Sequence, residues 1–478
     1  MSLFISARRN RSGICGLLFL VFACAVIVGA HGASARGENW PSWRGPNGTG
    51  VLETGDGNAP PVTWSDKEHV RWRVPLADRG NSTPIVWNDR VFVTQATERD
   101  HRRMVMCFNR SDGKLLWKSG VAYAHHESTN SQNPYCSASP VTDGTCVVAY
   151  FGSAGLYCYD FAGKELWHRD LGKTNSWHGS GASPMLYKDL WIVNAGPGTN
   201  AALIALDKKT GAEIWKVSPN KGAVSGLAAF FGRAAEDDAP STSRPAGTFD
   251  NADMAADLSG AGGMEGSWST PLVVRVADHD ELIVPLSSHL AGYDPSTGKE
   301  LWTCAGMTAQ VFATPTVAGG VLLVCCKIMF GGTQAMAIRL GGAGDVGAGD
   351  VTATKLLWKQ NLPKVCVGSP VIAEGNAYLV TQYGTIVCID MATGKKLAEK
   401  RLNGQGTQGG SWSSPVMIGG KIYVPNLSGE VFVIKPSPDI EVLATNSVGD
   451  ETTCASLAFS QGQVFLRTYK ALWCFGNP

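Results

Sequence analysis

A Ser-Pro or Thr-Pro step recurs seven times along the 478 residues, followed by an apolar run, a turn and a second apolar run that ends near Asp. The anchors are Pro84, Pro140, Pro184, Pro271, Pro315, Pro370 and Pro415, with a degenerate eighth copy at Ala455-Ser456-Leu457. Self-similarity on this scale means that one supersecondary unit is stacked repeatedly, each copy covering a face its neighbour cannot bury alone. Four of the intervals are 42 to 45 residues, the length of one four-stranded propeller blade. The spacing therefore predicts an all-β, eight-bladed β-propeller of four-stranded blades over residues 69–478, after a lead segment at 36–68. Composition agrees: 57 glycines and only 17% charged residues suit short strands joined by tight turns rather than amphipathic helices.

One full copy runs from Pro184 through Asp207 to Trp215. Pro is tolerated at the first residue of a strand, where no ladder hydrogen bond is lost. The Asp-x-x-Thr-Gly segment at Asp207 to Gly211 is a polar turn in which Asp accepts backbone N–H bonds and Gly supplies the positive φ. The same closing pattern brings Trp117, Trp167 and Trp302 to equivalent places, and Trp358 to the fifth copy. Each of these rings is expected to dock on the next blade, burying about 200 Å² and donating its N–H to a carbonyl there. The last copy supplies three strands, while Val70 to Leu76 is a lone strand with Trp72 in it. Pairing the two closes the ring and leaves no open sheet edge.

Two stretches break the repeat. Residues 218–266, rich in Ala, Gly, Ser and Asp, read as a long loop insertion between the third and fourth blades. Gly341 to Asp350 reads as a shorter hairpin extension of the fifth.

The N-terminus places Arg8, Arg9 and Arg11 before an apolar stretch from Ile14 to Ala30 and an Ala33-Ser34-Ala35 step, the order of a Sec signal peptide cleaved after residue 35. The alternative is an uncleaved anchor, since the stretch falls just short of a bilayer span. Without residues 1–35 the chain carries 38 basic and 40 acidic groups, which gives no electrostatic footprint for nucleic acid. Eleven cysteines remain, an odd number. Cys107, Cys158, Cys388 and Cys474 sit at one repeat position, where another copy has Ala205. One per blade, they cannot reach each other and are expected to be buried free thiols.

The Asp-x-x-Thr-Gly-Lys-x-x-Trp blades, together with Asn39-Trp-Pro-Ser-Trp-Arg-Gly-Pro-Asn-Gly-Thr-Gly50, resemble the PQQ-like β-propeller repeat proteins over about residues 39–478. The resemblance implies either of two roles. Quinoprotein alcohol dehydrogenases of that superfamily hold pyrroloquinoline quinone and Ca²⁺ on the ring axis, and BamB-type scaffolds bind other proteins with the same ring. Fold does not choose between them. The dehydrogenases often carry a vicinal disulfide. Here the adjacent pair is Cys325-Cys326, inside an apolar strand whose successive side chains point to opposite faces, which favours two packed thiols.

Candidate binding residues fall in segments expected at one mouth of the ring. His125, His126 and Glu127 could in principle hold a divalent ion, although neighbours in a loop seldom converge on one metal and a polar rim explains them as well. Gly-Ser-Trp-Ser-(Ser/Thr)-Pro occurs twice and places Trp268 and Trp412 before inner strands, with Trp177-His178 in a looser copy. Such indoles offer flat surfaces to a sugar, quinone or peptide, or pack between blades. No Ser/His/Asp order, phosphate-binding loop or zinc-type Cys spacing is visible. The expected function is an exported, non-enzymatic scaffold, monomeric and without resident cofactor, that binds a cell-envelope protein or small extracytoplasmic ligand. The alternative is a PQQ- and Ca²⁺-dependent dehydrogenase of alcohols or sugars, and a third reading is a carbohydrate-binding or carbohydrate-oxidising periplasmic protein.

Overall fold

The alternating apolar runs form strands because β-branched and aromatic residues fill both faces of each short segment. The computed structural model describes residues 39–53, 59–125, 127–174, 176, 178–198, 200–218, 266–308, 310–328, 331–341 and 349–477. The leader expected at 1–35, most of the insertion expected at 218–266, and the candidates His126 and Trp177 lie outside them.

Eight antiparallel sheets surround one axis, each with a blade of four strands. Blade three shows the plan: Met185–Tyr187, Leu190–Ala195, Ala202–Asp207 and Glu213–Val217, ordered from the axis outward. The second and third strands of each blade are buried on both faces over most of their length, and the hydrophobic clusters lie between adjacent blades. In blade eight the outer strand is Val70–Pro75, antiparallel to Ala471–Gly476. First and last strands thus share a sheet, as the lone tryptophan strand required.

Every outer strand carries a β-bulge one residue before its Trp position, at Arg71, Leu116, Leu166, Ile214, Leu301, Leu357, Leu397 and Leu443. A bulge turns the strand sharply and re-aims the next side chain. Here it throws the bulge residue outward in every blade but the fourth and, where Trp follows, sends the indole toward the following blade. Trp72, Trp117, Trp167, Trp215 and Trp358 donate Nε1–H to Arg110, Phe161, Lys208, Pro295 and Met391 carbonyls at 2.7, 2.9, 3.4, 3.1 and 2.8 Å. Each ring also covers the glycine of the next blade's turn. A Cβ at Gly113, Gly163, Gly211, Gly298 or Gly394 would stand 2.5–2.8 Å from the indole, so Gly is needed there for space as well as for its positive φ. On the third strand the repeated small position, Cys107, Cys158, Ala205 or Cys474, lies directly across from Trp117, Trp167, Trp215 or Trp72.

Trp302 departs from the expectation of an indole bonded to the next blade. Its N–H goes to Glu281 Oε2 of its own blade at 2.8 Å. The reason lies in blade five, where the Gly turn is replaced by the stretch before Leu356. That stretch is also more than a hairpin extension, because Gly349–Asp350 pairs in parallel with Trp302 and Thr303 on blade four. Leu301, the bulge residue there, is consequently 6% exposed, whereas its counterpart Leu166 is 51% exposed.

The lead segment lies across the axial opening. Trp40 bridges Val86 of blade one, Pro41 accepts from Thr142 N–H of blade two, and Val51–Leu52 pairs in parallel with the inner strand of blade seven. Arg44, 2% exposed, donates to Ser369 and Pro370 carbonyls of blade six at 3.3 and 2.6 Å, to Pro415 O at 3.4 Å, and to Thr49 O. Burial pulls its guanidinium down to about 9, so it keeps its charge at neutral pH and is held by carbonyl dipoles.

Candidate functional site

The residue before each anchor proline has a task the repeat alone does not reveal. Thr83 N–H donates to Ser139 Oγ at 2.8 Å, Ser139 N–H to Ser183 Oγ at 2.9 Å, and Ser183 N–H to Thr270 Oγ1 at 2.9 Å. Beyond blade four, Thr314 N–H donates to Ser369, Ser369 to Ser414, Ser414 to Ser456, and Ser456 back to Thr83, at 2.8–3.1 Å. At the remaining step Thr314 Oγ1 donates to Thr270 O at 3.1 Å. A hoop of hydroxyls thus links all eight blades at the face where the inner strands begin. Ser139→Ala leaves the buried Thr83 N–H without its acceptor, and is expected to cost about 1–3 kcal/mol, read as a lowered urea midpoint with an unchanged slope.

This hoop rims an axial cavity of about 190 Å³. Trp43 of the lead segment forms part of its wall and also lines a second cavity, of about 650 Å³, among the inner strands of blades three to five. Around the mouth stand Trp268, Phe312, His178 and Trp412. The Trp268 and Phe312 ring centroids are 5.0 Å apart, and His178 meets Trp268 edge-on at 5.6 Å. Trp268 is anchored by its Nε1–H on Gly179 O at 2.7 Å. His178 Nδ1 lies 3.0 Å from Asn130 Nδ2, and Asn133 Nδ2 donates to the His178 and Ser180 carbonyls. Burial and the nearby Lys327 ammonium hold His178 below its ordinary pKa, so it is neutral at pH 7. Lys327, at the end of Val321–Lys327, and Gln382 complete the polar part of the wall.

Of the candidates, the structure brings His178, Trp268 and Trp412 to this one cavity. His125 and Glu127 are elsewhere. His125 is exposed beside Tyr123, and Glu127 Oε1 accepts the Ser153 N–H of blade two at 2.9 Å. No group of three His, Cys, Asp or Glu side chains converges among the described residues. Sequence reasoning missed Trp43, Phe312, Lys327 and Gln382. The tryptophan pair in the lead segment was a visible signal for Trp43, and the other three carried none.

Cys325 packs in the core between blades five and six, and Cys326 in the core between blades four and five. Both are free thiols, as are the other nine cysteines among the described residues, and all are buried. Burial pushes both thiols up, which keeps them protonated and unreactive at neutral pH.

The family model described as outer membrane protein assembly factor BamB matches residues 101–239 and 329–477, more than half of the chain. The chain belongs to this family of PQQ-like repeat propellers. Among solved structures, the propeller is similar to BamB from Moraxella catarrhalis at 15% identity and a TM-score of 0.53, covering 85% of this chain and 97% of that one. It is also similar to a quinohemoprotein alcohol dehydrogenase from Comamonas testosteroni at 13% identity and a TM-score of 0.60, covering 93% and 82%. A europium-containing methanol dehydrogenase matches at 11% identity and a TM-score of 0.50, over 92% and 98%. No curated protein matches the sequence. Similarity at these identities establishes the ring and leaves function to the site.

A quinone-bound Ca²⁺ needs a cluster of oxygen ligands in which carboxylates balance its charge. Among the described residues no Asp or Glu lines the axial cavity, and its one fixed charge is the cation Lys327. These residues do not fit the ion.

Proposed function

We propose that the chain is a non-enzymatic propeller of the cell envelope, exported by its first 35 residues, that holds a protein or small ligand at the axial mouth. The observation that supports it most is the chemistry of that mouth: indole faces, amides and one ammonium, with no carboxylate acid or base and no activated nucleophile among the described residues. A redox site of the dehydrogenase kind needs a base and a metal seat on the axis. Recognition needs only concavity, apolar faces and a few convergent polar groups. The BamB family match favours the same reading.

Calorimetric titration with pyrroloquinoline quinone in Ca²⁺, and again in EDTA, tests it. No Ca²⁺-dependent heat is expected from folded protein. Saturable Ca²⁺-dependent binding would move the chain to the dehydrogenases and call for a screen of alcohols and sugars. A photo-crosslinking residue in place of Gln382 is expected to give a discrete envelope adduct, weakened by Trp412→Ala.

A further inference from the structure

We infer that the axial cavity is a seat for an anionic sugar unit, a hexuronate or a comparably carboxylated saccharide. This rests on the binding role proposed above and names the ligand class.

The argument starts from which polar groups are already committed. Trp268 N–H and the Asn133 amide are bonded within the protein. Trp43, Trp412, Lys327 and Gln382 line the same cavity, and their side-chain polar groups have no hydrogen-bond partner among the described residues. Three of these four offer donors only. An ammonium in a concave site with no facing carboxylate is the point charge that a ligand anion would neutralise. The Gln382 side-chain carbonyl is the one acceptor in the set, and it asks for a ligand hydroxyl. Neutral His178 adds no competing charge. A ligand that meets this set carries an anion and hydroxyls, and offers apolar C–H faces to three indoles. A carboxylated pyranose has all three, whereas a simple aromatic acid lacks the hydroxyls. About 190 Å³ open at one face accommodates one ring and lets a longer chain leave through the mouth.

The test is calorimetry of the full chain with trigalacturonate, its fully methyl-esterified form, and benzoate. The acid is expected to bind saturably, with the ester about tenfold weaker or more and benzoate weaker still. Lys327→Met should bring the acid down to the level of the ester while Lys327→Arg keeps most of the difference, both variants melting as the parent does. Trp412→Ala should weaken acid and ester alike. Equal binding of acid and ester, tighter benzoate, or no binding of any trisaccharide by folded protein would each overturn the assignment. In that last case a discrete envelope adduct at residue 382 would leave the broader binding role standing, whereas Ca²⁺-dependent quinone binding would remove both.

Discussion

A chain lacking residues 64–76 is expected to show no cooperative unfolding transition, with near-UV circular dichroism flat against temperature. The deletion strips Ala471–Gly476 of its outer ladder partner and removes two buried indoles. Trp72 caps Gly113 of blade one. Trp64 stacks on Phe475 at 5.3 Å, and its backbone N–H donates to Asn446 of blade seven at 2.7 Å. Loss of a buried Trp costs roughly 3–5 kcal/mol, so two of them alone rival the whole stability of a typical domain, about 5–15 kcal/mol. The exposed strand edge adds a route to aggregation. A sharp melt within a few degrees of the parent would show that seven blades hold without the seam.

The second large effect belongs to the indole docks. Trp117→Ala, Trp167→Ala, Trp215→Ala and Trp358→Ala should each lose about 3–5 kcal/mol in urea unfolding. Packing and hydrogen bond go together, because each N–H bond crosses to the blade whose glycine the ring covers. Trp215→Ala combined with Gly298→Ala should therefore be non-additive by about 0.5–3 kcal/mol. The added Cβ, which stands 2.7 Å from the indole in the parent, gains room once the ring is gone, although strain from the positive φ stays. Strict additivity would mean that the two do not press on one another. At Trp302 the loss has a different cause, since it deprives buried Glu281 of a donor. Trp302→Phe should thus be nearly as harmful as Trp302→Ala.

The parts of the ring that could be read from the sequence are those whose interactions are local. The Asp207 turn closes within five residues, with Thr210 N–H on Asp207 Oδ1 at 2.8 Å, and its signature is accordingly written in adjacent positions. The lone Trp72 strand betrayed the seam because it had no blade of its own. The hydroxyl hoop was only half legible. Ser or Thr before Pro was plain, yet each bond reaches into another blade, as from Ser183 to Thr270. Arg44 finds three of its four carbonyls more than 300 residues away, so nothing near it in the chain told that the lead segment crosses the axis. The bulges were hidden because Leu-Trp and Leu-Ala are apolar pairs with or without an extra residue. In the site, Trp268, His178 and Trp412 were traceable since they precede inner strands. Lys327 ends a strand and Gln382 lies in a turn, places where the repeat carries no pattern.

The shared blade also sets an order of events. Val70–Pro75 is made before any other strand of the ring, but its partner Ala471–Gly476 is made after all of them. Until that partner is made the first strand has no mate, and the ring cannot shut. Contacts that span nearly the full chain are slow to form. A polypeptide so arranged stays open while its eight blades are being translated.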